Sequence, residues 1–179
     1  PWKPAIRAMI TMKNVVGHIL KNNGRAGDAE RLLPEALEAA REISDGDSEQ
    51  LTSALTNLGN VLRELGRLQE AEPLFVEALA MRRRIDAGDS VGLVTILNHL
   101  ATTWYGLGRF EESEPMFVET LAMARRLKAE YPRDLAITLL NFANVKMALH
   151  KDLEAEAMLV EALELQRELV QRDDVFTAL

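Results

Sequence analysis

The chain has no cysteine, so disulfide staples, thiolate nucleophiles and cysteine–zinc sites are excluded. That composition fits a reducing compartment, and a cytoplasmic location is expected. Aromatic residues make up only 5% of the sequence, and its three histidines, His18, His99 and His150, lie far apart. None has the two-in-one-turn spacing of a zinc-binding helix, so no metal is expected. Positive charge is in deficit: 21 Lys and Arg against 28 Asp and Glu leave a formal net charge of −7. An acidic balance argues against gripping a phosphate backbone, so no nucleic-acid partner is expected. Arg82-Arg83-Arg84 is the one basic run, and it falls near a helix end, where cations offset the helix dipole. No apolar run approaches bilayer-spanning length and Pro1–Met12 has no signal-peptide pattern, so no membrane role is expected. No convergent set of nucleophile, base and orienting group stands out, so neither an enzyme nor a cofactor is expected. The chain opens on Pro1 rather than Met, which reads as a fragment or a processed form.

What the sequence does contain is repetition. TNLGNVLRELGRLQEAEPLFVEAL, from Thr56, recurs as NHLATTWYGLGRFEESEPMFVETL from Asn98 and as LNFANVKMALHKDLEAEAMLVEAL from Leu140. A weaker copy, NVVGHILKNNGRAGDAERLLPEAL, begins at Asn14. Gly24, Gly66 and Gly108 stand 42 residues apart, and Glu35, Glu77, Glu119 and Glu161 keep the same step. Self-similarity at such a period marks an array of supersecondary units, none of which can bury its apolar face alone.

Within each copy apolar residues recur at three- and four-residue spacing, never two, so each copy predicts helices and no strand. The expected helices cover 4–21, 27–43, 49–65, 68–86, 91–107, 110–130, 133–149 and 153–171. Gly24, Gly66 and Gly108 turn the chain inside a pair; Asp47 or Ser48, and Asp89 or Ser90, cap the helices that open the next. Asp173 falls where a further helix would be capped, so 173–179 predicts the start of another or a capping helix. On the helix before Gly66, Leu51, Leu55, Leu58 and Leu62 fall on one side with Gly59 beside them. Gly17, Gly59, Ala101 and Ala143 share that small position, opposite Leu33, Phe75, Phe117 and Leu159 in the partner helices, which predicts close helix–helix packing.

These residues carry a family resemblance. Asn57-Leu58-Gly59, Leu65-Gly66-Arg67, Glu70-Ala71-Glu72-Pro73-Leu74-Phe75 and Glu77-Ala78-Leu79, with their counterparts in the third copy, resemble tetratricopeptide repeats, in particular the long-period variety of kinesin light chains and many bacterial proteins. The resemblance implies an all-α fold, a right-handed α-solenoid of four stacked helix-turn-helix repeats at about 4–44, 48–87, 90–130 and 132–171 with a short C-terminal capping segment. The fourth copy departs: His150 replaces the turn glycine, Asp152 stands where Leu68 and Phe110 stood, and Lys146 where Leu62 and Trp104 stood. The first copy has Lys13 at the position of Leu55. Polar residues at these sites predict terminal repeats with a solvated outer side.

Opposite the packing face, the spacing aligns a second stripe: Thr11, Asn14, His18 and Lys21; Ser53, Thr56, Asn60 and Arg63; Thr95, Asn98, Thr102 and Tyr105; Ile137, Leu140, Asn144 and Met147. It contains no carboxylate although the chain is acidic. The resemblance implies that these first-helix positions line a groove for a protein or peptide partner. Asn14, Asn60, Asn98 and Asn144 each offer a donor and an acceptor for peptide main chain. Lys21 and Arg63 predict an acidic or carboxylate-bearing portion, and Leu140 and Met147, with Tyr105, an apolar one. Thr56 and Thr102, with Asn14 and Asn98, occupy sites where chaperone-binding relatives carry a cationic clamp; those cations are missing, so chaperone C-termini are not implied. Asn57 and Asn141 lie beside the stripe at a position expected to be structural. The expected function is a non-catalytic protein- or peptide-binding scaffold; the alternatives are a self-assembling homo-oligomer and a regulatory or sensory segment of a larger signalling protein.

Overall fold

The computed structural model describes the backbone of residues 2–44 and 46–177 and the side chains of 2–44 and 46–171. The described residues form eight helices and no strand: α1 (Lys3–Asn22), α2 (Ala26–Ile43), α3 (Glu49–Glu64), α4 (Leu68–Ile85), α5 (Val91–Gly106), α6 (Phe110–Arg126), α7 (Pro132–Ala148) and α8 (Asp152–Thr177). They fall into two units, Pro1–Gly88 with α1–α4 and Asp89–Leu179 with α5–α8.

The turn inside each helix pair uses one backbone device four times. Gly24, Gly66 and Gly108 have φ of 71°, 77° and 75°, the left-handed region that a Cβ disfavours. His150, in the same place, is forced there too, at φ 56°. The left-handed residue lets the next amide reach back: Arg67 N–H donates to the Leu62 carbonyl at 2.8 Å and Lys151 N–H to that of Lys146 at 2.8 Å. At the joints between pairs, Ser48 and Ser90 are the caps, accepting from the N–H of Leu51 at 3.1 Å and of Leu93 at 3.0 Å. Asp47 and Asp89 do not cap. Asp47 binds the Arg84 guanidinium through two bonds of 2.6 and 2.7 Å, and Asp89 takes Arg126 the same way. The arginine's bonds hold both carboxyls below the usual carboxylate range.

In the first unit α3 packs on both α1 and α2, and α4 packs on α3. Phe75, Leu33 and Leu55 fill the interior, and Ala29, Ala36, Ala71 and Ala78 are fully buried where the helices approach. The small position is required: a Cβ on Gly59 would stand 2.8 Å from the Phe75 ring, and one on Gly17 2.5 Å from Leu33. The second unit repeats the plan, with α7 packed on α5 and α6 and α8 on α7. There Phe117 of α6 stacks on Phe142 of α7, centroids 5.5 Å apart, and the Ser113 hydroxyl donates to the Ala101 carbonyl at 2.8 Å.

Three expectations are corrected. Helix α6 ends at Arg126 rather than 130: past it the backbone bonds tighten to three-residue turns, Lys128 N–H to the Arg125 carbonyl at 3.4 Å and Glu130 N–H to the Leu127 carbonyl at 3.1 Å. Helix α8 runs unbroken past Asp173 to Thr177, so the described residues contain no separate capping helix there; 178 and 179 lie outside them. Lys146 is not on a solvated outer side. Its side chain is only 7% exposed and its ammonium donates to Glu114 at 2.6 Å and Glu154 at 2.5 Å, over the Phe142 ring. A lysine there keeps its charge because its position is lined by carboxylates, which residue spacing alone does not reveal.

Candidate functional site

In the first unit the stripe falls on α1 and α3 as its three- and four-residue spacing requires. Between the two helices lies an open cavity of about 430 Å³, lined on one side by Thr11, Asn14 and His18 and on the other by Glu49, Ser53 and Asn57. Asn14 is 8% exposed, and its side-chain carbonyl oxygen is buried without a hydrogen bond. His18 is exposed, 3.4 Å from Asn22. Thr11 donates to the Arg7 carbonyl at 3.0 Å and Thr56 to that of Thr52 at 2.8 Å. With donors committed to their own helix, both hydroxyls are left as acceptors toward a ligand.

Asn60 and Arg63 continue the stripe beyond Asn57, and both are half-buried. The Arg63 Nε is buried without a hydrogen-bond partner, and burial pulls the guanidinium's pKa down, with neighbouring Glu64 opposing. It remains a cation, since arginine starts so far above neutrality. Lys21 faces Glu64 at 3.9 Å, a loose pair. Arg63 therefore differs from Arg25, Arg41, Arg67, Arg84, Arg125 and Arg126, each held by a carboxylate.

The second unit departs from the expected stripe. Asn98 is 6% exposed: its amide nitrogen donates to the Thr138 hydroxyl of α7 at 2.8 Å, leaving only a buried carbonyl oxygen without a bond. Through that nitrogen Asn98 fastens α5 to α7, a second role beside the expected ligand contact. Thr102 bonds back to the Asn98 carbonyl at 2.6 Å, and Tyr105 leans on Phe110 with centroids 5.4 Å apart. Asn144 is half-buried and Met147 exposed on α7. Leu140, one period after Asn98, is 51% exposed and lines a second cavity, about 320 Å³, with Ile137 and with Leu169 and Val170 of α8.

Four lining residues, Val15, Glu49, Gln50 and Asn57, fall outside the expected set. Asn57, expected to be structural, sits one turn beyond Ser53 on the cavity wall. Glu49 brings a carboxylate to a site expected to have none; it faces Arg82 at 3.7 Å. Arg82 also donates to Asp86 at 2.6 Å, so with Arg84 on Asp47 two cations of the basic run are matched by acids. Among the described residues no group of three or more His, Asp or Glu side chains could hold a metal ion, and no helix is long and apolar enough to cross a membrane.

Comparison with known proteins agrees with this architecture. The tetratricopeptide-repeat family matches residues 8–84, 50–126 and 135–175. No curated protein sequence matches. Among solved structures, BtubC (BKLC) from P. vanneervenii superposes with a TM-score of 0.80 at 23% identity, over 89% of this chain. The chain spans 64% of that protein's length, less than two thirds. A Podosopora anserina protein assigned as a kinesin light chain, with nearly identical TPR-like repeats, superposes in two crystal structures. The first, of a variant form, has a TM-score of 0.74 at 16% identity over 90% of this chain, and the second 0.71 at 14% over 89%; each match covers 76% of the other chain. At these identities the likeness is one of fold, an α-solenoid built of helix pairs. With family matches over most of its length and four helical pairs on a 42-residue period, the chain belongs to the tetratricopeptide-repeat family.

Proposed function

We propose that this chain is a non-catalytic scaffold that binds an extended, carboxylate-bearing peptide along α1 and α3. Repeats of this family generally mediate protein–protein contact, and grooves formed by stacked repeats are their usual contact surface. The observation that carries the reading is a mismatch of polar groups on one stripe: a buried amide oxygen at Asn14, on the cavity wall, and farther along α3 a half-buried guanidinium at Arg63 whose Nε is buried, neither atom with a partner. A buried acceptor or charge left without a bond is costly, and a ligand that supplies the bond recovers that cost. Asn14 requires a donor, as a peptide N–H is. Arg63 requires an anion, and its planar fork suits a carboxylate. His18, Lys21, Asn57 and Asn60 add polar contacts that fix direction rather than sequence.

The test is selection from a displayed random-peptide library, followed by titration calorimetry of the enriched peptides. The reading predicts peptides rich in Asp or Glu, at least tenfold weaker binding for Arg63→Ala, and a smaller loss for Asn14→Ala. Peptides whose affinity is unmoved by both substitutions would refute it.

A further inference from the structure

Among the described residues, the outward sides of α1 in the first unit and of α8 in the second expose apolar residues where polar ones are expected. On α1, Met12, Val16 and Ile19 are 62%, 45% and 52% exposed. One period on, Ala54, Leu58 and Val61 are buried in the first unit, where α3 lies on the preceding pair; two further on, Thr138, Phe142 and Val145 are buried in the second. On α8, Leu163 is 49% exposed, whereas Leu37 and Leu121, at the same position, are buried where α3 and α7 pack on α2 and α6. Each face is thus one half of the step that joins successive pairs within a unit.

The residues of the two halves match in register. Within a unit, the last turns of the earlier pair's second helix send an arginine to the next pair: Arg41 to Glu77 at 2.7 Å, Arg125 to Glu161 at 2.8 Å. The turn of the later pair returns a cation: Arg67 to Glu30, Lys151 to Glu114 at 2.7 Å. The next members of both series are Arg167 and Glu156 on α8, which have no partner among the described residues. Their complements by the 42-residue period are Glu35 and Arg25, on α2 and at the α1–α2 turn. Glu35 is occupied by Lys13 of its own pair, and Arg25 by Asp28, so each lacks its cross-pair partner. The core contacts follow the same register. Phe117 on Phe142 becomes Leu159 opposite Val16, and the polar pair Asn98–Thr138 becomes Leu140 opposite Met12. Both members change from polar to apolar together.

We propose that a second copy of this chain is the occupant: the α7–α8 face of one copy seats the α1–α2 face of the next, with Arg167 on Glu35 and Glu156 on Arg25. The contact is heterologous, so each added copy leaves a free face and association continues beyond two. It lies apart from the peptide surface proposed above, and Arg63→Ala leaves it unchanged.

Sedimentation of the chain over a wide concentration range tests this. The average mass should rise past that of a dimer. Ile19→Glu blocks one face and Leu163→Glu the other; both positions are exposed, and unchanged melting of each variant confirms its fold. Each variant alone should stay monomeric, and an equimolar mixture should give a dimer and nothing larger. Arg167→Glu should weaken association on the order of fivefold, and mixing it with Glu35→Arg copies should restore it. A wild-type chain that stays monomeric throughout overturns the proposal and leaves both faces to helix pairs of a longer chain or to another protein. Blocked variants that fail to combine, or that still self-associate, overturn it as well.

Discussion

At the residue scale, the informative positions are those where one copy breaks the pattern of the others. His150 takes a left-handed backbone that three glycines take elsewhere. A side chain there costs on the order of 1 kcal/mol, partly offset by the greater freedom glycine has in the unfolded chain. His150→Gly should therefore stabilise the fold, by up to about 1 kcal/mol, read from the urea midpoint; a loss of stability would mean that the imidazole makes a contact that outweighs the strain. Lys146 is the second break. It replaces leucine and tryptophan with a buried cation that Glu114 and Glu154 neutralise. Removing it as Lys146→Ala should cost about 2–4 kcal/mol, because Glu154 loses its partner, Glu114 is left with Lys151 alone, and a gap opens beside Phe142. The pair is also linked to pH. Bonds from Lys146 and then Lys151 hold the Glu114 carboxyl below its ordinary 4.5. Its contribution is full above about pH 4.5 and fades as pH falls through the depressed value. For Lys146, burial pulls the ammonium down, but the two carboxylates outweigh it and the net shift is upward from 10.5. Its contribution is full below that value and fades as pH rises above it. Urea unfolding of wild type and Glu114→Gln should differ at neutral pH and converge on acidification; parallel profiles would contradict the assignment.

At the element scale, the closeness of α3 to α4 depends on one missing side chain. Gly59→Val should destabilise the first unit by about 1–3 kcal/mol, since the added atoms meet the Phe75 ring and not open space. Calorimetric melting checks this, and an unchanged melt would mean that the pair can separate without loss. The elements themselves are readable from the chain. The 42-residue period, the turn glycines and the three- and four-residue apolar spacing place every helix start within one residue of the one observed. The end of α6, the continuity of α8 and the burial of Lys146 and Asn98 escape a reading of spacing. Two of these are decided by groups brought in from other helices: Glu114 and Glu154 closing in on Lys146, and Thr138 arriving from α7 at Asn98. Periodicity tells which side of a helix a residue occupies, but not what the neighbouring helix brings there. Asn14 and Asn98 share a register position, yet one lines a cavity and the other fastens two helices.

At the scale of the molecule, the two units use one plan with different polar detail. The first presents amides and a cation with an unbonded Nε along α1 and α3. The second commits Asn98 to its interior and presents the apolar residues Ile137 and Leu140 beside α8. A sequence reading that treats all four first helices alike cannot separate these roles. The proposals divide accordingly, with ligand recognition in the first unit and self-association at the outward sides of α1 and α8. The most direct measurement is the chemical-shift map of isotope-labelled protein titrated with a library-selected acidic peptide. The account predicts shifts at the side-chain amides of Asn14, Asn57 and Asn60 and at the Arg63 guanidinium. Shifts confined to α2 and α4, with those groups unmoved, would contradict it.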